Sequence, residues 1–390
     1  MNPEEKLSEK VKAMKPSGIR KFFDVVNTMP GAISLGVGEP DFDTPLHIRE
    51  VGINSLIEGK TFYTSNSGLL ELRQAIAEKF EKDTSLSYDP KTEIEITVGG
   101  SEAIDDAFRA LVNPGDEVIC PEPCYVSYTA CISLAGGVPV TVPLKQENNF
   151  VLTPEMLEKA CTEKSKVLIL SYPNNPTGAV MRKADLEKLV PVIEKHDLVV
   201  ISDEIYSALT YGDEKHTCLA ALPGMRDRTI TISGFSKAYA MTGWRLGYAI
   251  GNAAFIKQMT KIHQFCIMCA PTMSQYAAIE AVKNGDADIE MMRQSYDERR
   301  KYLYKTLNDM GLKCFEPMGA FYIFPDISGL GMTSDEFCNR LLEEEKLAVV
   351  PGTAFGDCGE GNVRISYAYS MDELKVAMGR LESFVKRHSK

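Results

Sequence analysis

Histidine and tryptophan are scarce in this chain of 390 residues, which has five of the first and one of the second. The histidines, His47, His196, His216, His263 and His388, are dispersed without ligand spacing, so structural roles are expected for all five. No apolar stretch approaches the length of a bilayer span, which argues against a membrane helix. The opening MNPEEKLSEKVKAM is charged throughout and lacks the apolar core of a secretory signal, so a cytoplasmic location is expected. Positive charge is in deficit as well. Forty-three Lys and Arg face 54 Asp and Glu, and a net charge of -11 repels nucleic acid and anionic membrane alike, so neither is expected as a partner. No internal repeat, low-complexity tract or long linker interrupts the chain, and its lobes are expected to pack closely.

Cysteine is present but unorganised. The ten are scattered, which favours reduced thiols buried as small apolar groups over a disulfide framework. The single C-x-x-C, Cys266 to Cys269, has neither a second Cys pair nor a clustered His beside it, and no metal site is expected.

Apolar, β-branched runs alternate with helical patterns, the mark of an α/β fold built on a buried, mostly parallel sheet. Strands are expected at 94–98, 117–120, 138–142, 167–171, 198–202, 229–233 and 246–250. After Gly99 and Gly100, the residues Ile104, Ala107, Phe108 and Leu111 recur at helical spacing until Pro114-Gly115 stops them. The last third differs. A long amphipathic helix (Ile289, Met292, Tyr296, Leu303, Leu307, Met310) stops at Gly311, and a strand is expected at 320–324. Capping boxes at Thr333 to Glu336 and Ser370 to Glu373 open two further helices, with short strands at 348–350 and 363–366 between them.

Chemistry-bearing residues stand at the strand ends, where open α/β sheets collect ligands. In Thr97-Val98-Gly99-Gly100-Ser101-Glu102-Ala103 a strand turns through two glycines into a helix whose first N–H groups suit a phosphate; an ordinary loop and N-cap is the alternative. The turn lacks G-x-G-x-x-G, which argues against a nicotinamide oxidoreductase. Tyr172-Pro173-Asn174-Asn175-Pro176-Thr177-Gly178 is a stiff loop able to aim the Asn175 amide, or a plain turn. In Ile201-Ser202-Asp203-Glu204-Ile205-Tyr206 a hydrophobic strand runs into a carboxylate whose burial demands a cation. The run from Ser233 through Ser236-Lys237 to Arg245-Leu246-Gly247 places a lysine just past a buried strand, where drying lowers an amine's pKa. It sets Arg245 where it could return to hold a phosphate.

Together, in order and spacing, these segments resemble the class I and II aminotransferases of the fold-type-I pyridoxal-phosphate family. The likeness runs from Ser34-Leu35-Gly36-Val37-Gly38-Glu39-Pro40-Asp41-Phe42 to Val363-Arg364-Ile365-Ser366-Tyr367. Lys237 would then carry pyridoxal 5'-phosphate in imine linkage and afterwards move a proton, with Asp203 facing the pyridine nitrogen. Asn175 and Tyr206 would hydrogen-bond the phenolic oxygen, and Tyr125 would stack on the ring. The helix start at Ser101 and Glu102, with Ser236 and Arg245, would hold the phosphate, while Arg364, assisted by Gly38, would grip the substrate carboxylate. The family forms its site at a homodimer interface, so Tyr63 is expected from the second subunit. The resemblance also implies a large domain at 46–286 and a small one built from 1–45 and 287–390.

Substrates are less legible. Aspartate-using members often carry a lysine where Ser101 stands. Ile19, Phe22, Tyr63 and Tyr125 are candidate pocket-lining residues, and Ser17-Gly18-Ile19-Arg20-Lys21-Phe22-Phe23 resembles the aromatic-type and A-type members. A large neutral donor is therefore expected, although Arg20 and Lys21 leave dicarboxylic substrates open. The same pattern serves a carbon–sulfur β-lyase, an aspartate-type or N-acyl-diaminopimelate-type aminotransferase, and, more remotely, a non-catalytic cofactor sensor.

Overall fold

The computed structural model describes residues 1–14 and 29–389. Twelve strands are named in chain order: β1 (Ile33–Ser34), β2 (Ile94–Thr97), β3 (Glu117–Glu122), β4 (Val138–Pro143), β5 (Ser165–Ser171), β6 (Val199–Asp203), β7 (Thr229–Gly234), β8 (Gly247–Ile250), β9 (Tyr322–Ile323), β10 (Leu347–Ala348), β11 (Val350–Pro351) and β12 (Val363–Ser366). β2 to β8 form one seven-stranded sheet in the order β2-β8-β7-β6-β5-β3-β4, as the seven apolar runs predict. The pairs among β3 to β7 are parallel, and only β8 runs against its neighbours. Central strands such as β5, β6 and β7 are almost wholly buried, because helices cover both faces of a parallel sheet. β4 is exposed at half of its residues and carries Pro139 and Pro143, residues tolerated at an edge.

The strand order sets where a ligand can lie. β4 sits on one side of β3 and β5 on the other, so the connections diverge there and leave a crevice at the carboxyl ends of the strands. Helix α1 (Gly100–Leu111) starts at that rim after β2, and α2 (Ala253–Cys266) packs beside it. Ile104, Ala107, Phe108 and Leu111 of α1 are buried, as their spacing predicts; so are Ala103 and Asp106.

In the last third, α3 (Asp286–Asp309) buries Met292, Tyr296, Leu303 and Leu307, and Gly311 follows it at φ +85°, the left-handed region that glycine adopts freely. Two expectations are corrected here. The strand at 320–324 shrinks to Tyr322–Ile323, because Ala320 takes a left-handed conformation and gives its N–H to Leu209 instead of a ladder. The strand at 348–350 divides: β10 pairs with β1 in parallel and β11 with β12 antiparallel, so the chain changes partner at Val349. Helix α4 (Ser334–Glu345) has half of its expected capping box. Thr333 accepts the Glu336 N–H at 3.2 Å, but the Glu336 carboxylate lies toward Arg340 at 3.7 Å. The box at Ser370 and Glu373, opening α5 (Met371–His388), is complete.

Phe321 is fully buried and joins this region to the sheet, its ring 5.5 Å from that of Tyr206 and 5.4 Å from that of Tyr296. Truncating it should leave a cavity costing about 3–5 kcal/mol. Phe321→Ala should therefore unfold at clearly lower urea than the wild type when followed by the fluorescence of Trp244, the single tryptophan. An unchanged midpoint would show that the aromatic cluster does not couple the two regions.

Candidate functional site

A cavity of about 740 Å³ opens at the carboxyl ends of the strands. It gathers Gly38, Ser101, Tyr125, Asn175, Asp203, Tyr206, Ser236, Lys237, Arg245 and Arg364, ten of the thirteen site residues expected from the sequence. Of the other three, Glu102 and Tyr63 do not line it, and Ile19 lies outside the described residues.

At one end, Gly99 sits at φ +78° and caps α1 without a side chain, so the first amides of the helix have no side-chain partner. Close packing requires the glycines. A Cβ on Gly99 would lie 2.7 Å from an Arg245 nitrogen, and one on Gly247 would lie 2.5 Å from the Gly100 nitrogen. Arg245 donates to the Thr242 carbonyl at 3.1 Å and has no carboxylate partner among the described residues, which leaves its charge for an anion. The expectation that Glu102 shares in this cradle is corrected for its side chain. One oxygen accepts the Val98 N–H and the other lies 2.8 Å from His263 Nδ1, which turns the carboxylate away from the cavity.

In the floor, Asp203 ends β6 and is 6% exposed. Its carboxylate accepts from the Tyr128 hydroxyl at 2.5 Å and from the Ile205 N–H at 3.2 Å. Burial nevertheless pushes the carboxyl up, since the two donors do not replace hydration. No cation touches it among the described residues, so the demand raised by its sequence is met only by Lys237 at longer range.

Lys237 follows β7 and donates from Nζ to the Gly38 carbonyl at 2.5 Å. Burial, with the nearby Arg364 and Arg245 charges adding to it and Glu39 opposing it, brings its amine down to about 8. Opposite, Arg364 of β12 is 2% exposed and lies between the rings of Tyr322 (4.5 Å) and Phe355 (4.8 Å). It donates to Asn175 Oδ1 at 2.8 Å and to the Gly36 carbonyl at 2.5 Å, and its buried Nε has no partner among the described residues. The two backbone carbonyls thus divide the basic groups, Gly36 taking Arg364 and Gly38 taking Lys237. The Tyr206 hydroxyl is 2.8 Å from that of Tyr322.

Comparison with known proteins follows the same lines. The family model described as aminotransferase class I and II matches residues 30–381. An aspartate aminotransferase of Pyrococcus abyssi is 48% identical over 97% of this chain and 98% of its own, and aromatic-amino-acid aminotransferase 2 of Thermococcus litoralis is 46% identical over the same shares. The crystal structure of an aromatic aminotransferase from Pyrococcus horikoshii superposes with a TM-score of 0.90 at 47% identity, covering 94% of this chain and 99% of that one. The chain belongs to the class I and II aminotransferases. Its fold is fold type I, its activity is amino-group transfer, and its cofactor is pyridoxal 5'-phosphate.

The cavity of this aminotransferase fits that group on its own chemistry. An uncapped helix start beside an unpaired arginine suits a phosphate, a buried carboxylate without a cation suits a protonated ring nitrogen, and an amine lowered to about 8 suits a carbonyl. Two contributors, Tyr128 and Tyr322, were not singled out from the sequence. Tyr128 lies three residues after Tyr125 at the start of a short helix, Ser127–Ala135, and Tyr322 lies in an apolar strand; neither setting marks a hydroxyl as aimed at a site.

Asp203→Asn distinguishes a charge awaiting a cation from a structural carboxylate. The folded carboxyl titrates above its unfolded value, so its ionisation opposes folding as the pH rises through that range. At pH 7–8 the cofactor-free Asp203→Asn protein should therefore melt higher than the cofactor-free wild type, while turnover of the cofactor-loaded variant falls steeply. A lower melting temperature in the cofactor-free variant would make the Asp203 hydrogen bonds structural in the first place.

Proposed function

We propose that this aminotransferase takes the amino group of an aromatic or other large, weakly charged L-amino acid. It passes the group to a 2-oxo acid such as 2-oxoglutarate by a ping-pong sequence on one site. The observation that carries the donor reading is the charge around the cavity. Its lining cations among the described residues are Lys237, Arg245 and Arg364, and each already has a task. Ser101 stands at the helix start and Glu39 adds a carboxylate to the lining, while Tyr125, Tyr128, Tyr206 and Tyr322 supply aromatic surface. The relatives named above include both aspartate and aromatic-amino-acid aminotransferases, so the donor rests on the pocket.

Bound pyridoxal phosphate supplies an electron sink that makes the substrate α-carbon acidic. The protein groups would then act as follows. The α1 amides at Ser101 and Glu102, with Ser236 and Arg245, hold the phosphate; Asp203, oriented by Tyr128, keeps a proton on the ring nitrogen. Asn175 has its carbonyl oxygen engaged by Arg364, which leaves its NH₂ to donate to the phenolic oxygen beside Tyr206. Tyr125 covers the ring face, Arg364 grips the α-carboxylate next to the Gly36 to Gly38 backbone, and the Lys237 amine carries the proton at the α-carbon.

The assembly we propose is a homodimer. Tyr63 is 80% exposed and does not line its own cavity, and Phe62 and Phe265 are as exposed as it is. Thr272 bonds the Phe62 carbonyl and Asn66 the Met268 carbonyl, so these apolar residues belong to adjoining segments. An apolar surface of this kind suits a second copy that receives Tyr63. We also propose the division into 46–286 and 1–45 with 287–390, supported by the parallel pairing of β1 with β10 and the Ser366 N–H bonded to Leu35. A cytoplasmic setting agrees with ten cysteines that are all free. Among the described residues no helix is long and apolar enough to cross a membrane.

Two measurements test this reading. Capture of added pyridoxal phosphate by the cofactor-free protein needs the neutral Lys237 amine, so its rate should rise with pH and level off above about 8; a flat profile, or borohydride labelling at another lysine, would remove Lys237 from its role. Amine exchange with 2-oxoglutarate should be faster with phenylalanine or tyrosine than with aspartate, with no release of pyruvate and ammonia. Ser101→Lys should shift the kcat/KM ratio toward aspartate by roughly tenfold or more. A strong preference of the wild type for aspartate would overturn the neutral-donor reading.

A further inference from the structure

Behind the helix start that faces the cavity, three side chains from separate elements converge in the interior. Glu95 comes from the middle of β2, Asp106 from the second turn of α1 and His263 from the last turn of α2. Glu95 and His263 are fully buried and Asp106 is 2% exposed. A carboxylate oxygen of each acid and a ring nitrogen of the histidine all lie within 4.8 Å of one another. Among the described residues, both Glu95 oxygens, Asp106 Oδ2 and His263 Nε2 have no hydrogen-bond partner. Thr260, on the same helix as His263, directs its hydroxyl to the Ile256 carbonyl at 2.9 Å.

The histidine is oriented. Its Nδ1 is 2.8 Å from Glu102 Oε1, and a carboxylate can only accept, so Nδ1 carries a proton. That leaves the lone pair of the neutral ring on Nε2, a buried atom without a partner among the described residues. A carboxylate fixing the far nitrogen of a histidine is the arrangement that steers an imidazole onto a metal. Among the described residues neither acid has an ion-pair partner, and Arg109, whose charge reaches Asp106, is paired with Asp105.

We propose that Glu95, Asp106 and His263 form a site for one divalent transition-metal ion, with Glu102 as the carboxylate that positions the histidine. Two carboxylates neutralise the charge of such an ion. A mixed oxygen and nitrogen donor set selects manganese or zinc over magnesium or calcium, which prefer oxygen alone. The ion ties the edge strand β2 to α1 and α2. Because Glu102 also holds the Val98 N–H, the same link fixes the turn from which the helix start faces the cavity. The site is separate from the substrate reading and stands or falls independently of it.

Mn²⁺ is the appropriate probe, because it favours oxygen and nitrogen donors and discriminates against the thiols of Cys266 and Cys269. The holoenzyme, freed of excess cofactor and treated with EDTA, is incubated with Mn²⁺, gel-filtered and assayed for bound metal and melting temperature. The wild type should retain on the order of one Mn²⁺ per chain and melt several degrees higher with Mn²⁺ than without. Glu95→Gln and Asp106→Asn match the protonated acids in shape and should fold. Both should lose the retained metal and the melting shift, whereas Cys266→Ser should keep them. Two results would overturn the proposal. One is retention by the wild type below about a tenth of an ion per chain, with the Gln and Asn variants equally or more stable, which would make the cluster a pair of protonated acids. The other is Mn²⁺ binding undiminished in those variants, which would place the metal elsewhere.

Discussion

Arg364 cannot be buried alone. A guanidinium removed from water needs partners in the plane of its N–H groups, and it finds them in the Asn175 side chain and the Gly36 carbonyl, with the rings of Tyr322 and Phe355 on its flanks. These partners come from the segment after β1, the loop after β5, the strand β9 and the turn after β11, so one cation joins both ends of the chain to the sheet. The same network fixes which half of Asn175 is free and leaves Gly38 to receive Lys237. Arg364, Lys237 and Asp203 thus share one cavity without an ion pair in direct contact among the described residues.

The other end of the cavity depends on closeness of backbones. In the seven-stranded sheet β8 alone runs against its neighbours, and this direction brings Gly247 against the Gly99-Gly100 turn while Arg245, two residues earlier, reaches the helix start. Any side chain at these glycines would push the strand away from the helix. Glycine is required here by contact as much as by dihedral freedom. The helix start gains a fixed cation, and its first charged side chain, Glu102, is drawn behind it to His263.

Much of this was legible beforehand because it is local. A β-branched run buried on both faces announces a central strand, and all seven were found at nearly the expected residues. Gly-Gly before a helical pattern announces a turn into a helix. Lys237 just past an apolar strand must lie near a dry rim, and its amine is lowered accordingly. The short strands near the C-terminus were less exact, because two-residue pairings are decided by which neighbour is available and not by propensity.

What the sequence determined by itself was the order of the strands along the chain, their buried character and the residue types placed at their ends, since these follow from periodicity and from the backbone freedom of glycine and proline. What only the tertiary structure decided was which of those residues meet. Tyr128 reaches Asp203 and Tyr322 reaches Tyr206 across 75 and 116 positions of chain, and His263 reaches Glu102 across 161. Periodicity says that a side chain faces inward. It carries no information on the partner, because partners are set by the order of strands in the sheet and the helices packed over it, and the gathering of Glu95, Asp106 and His263 is a product of that packing alone.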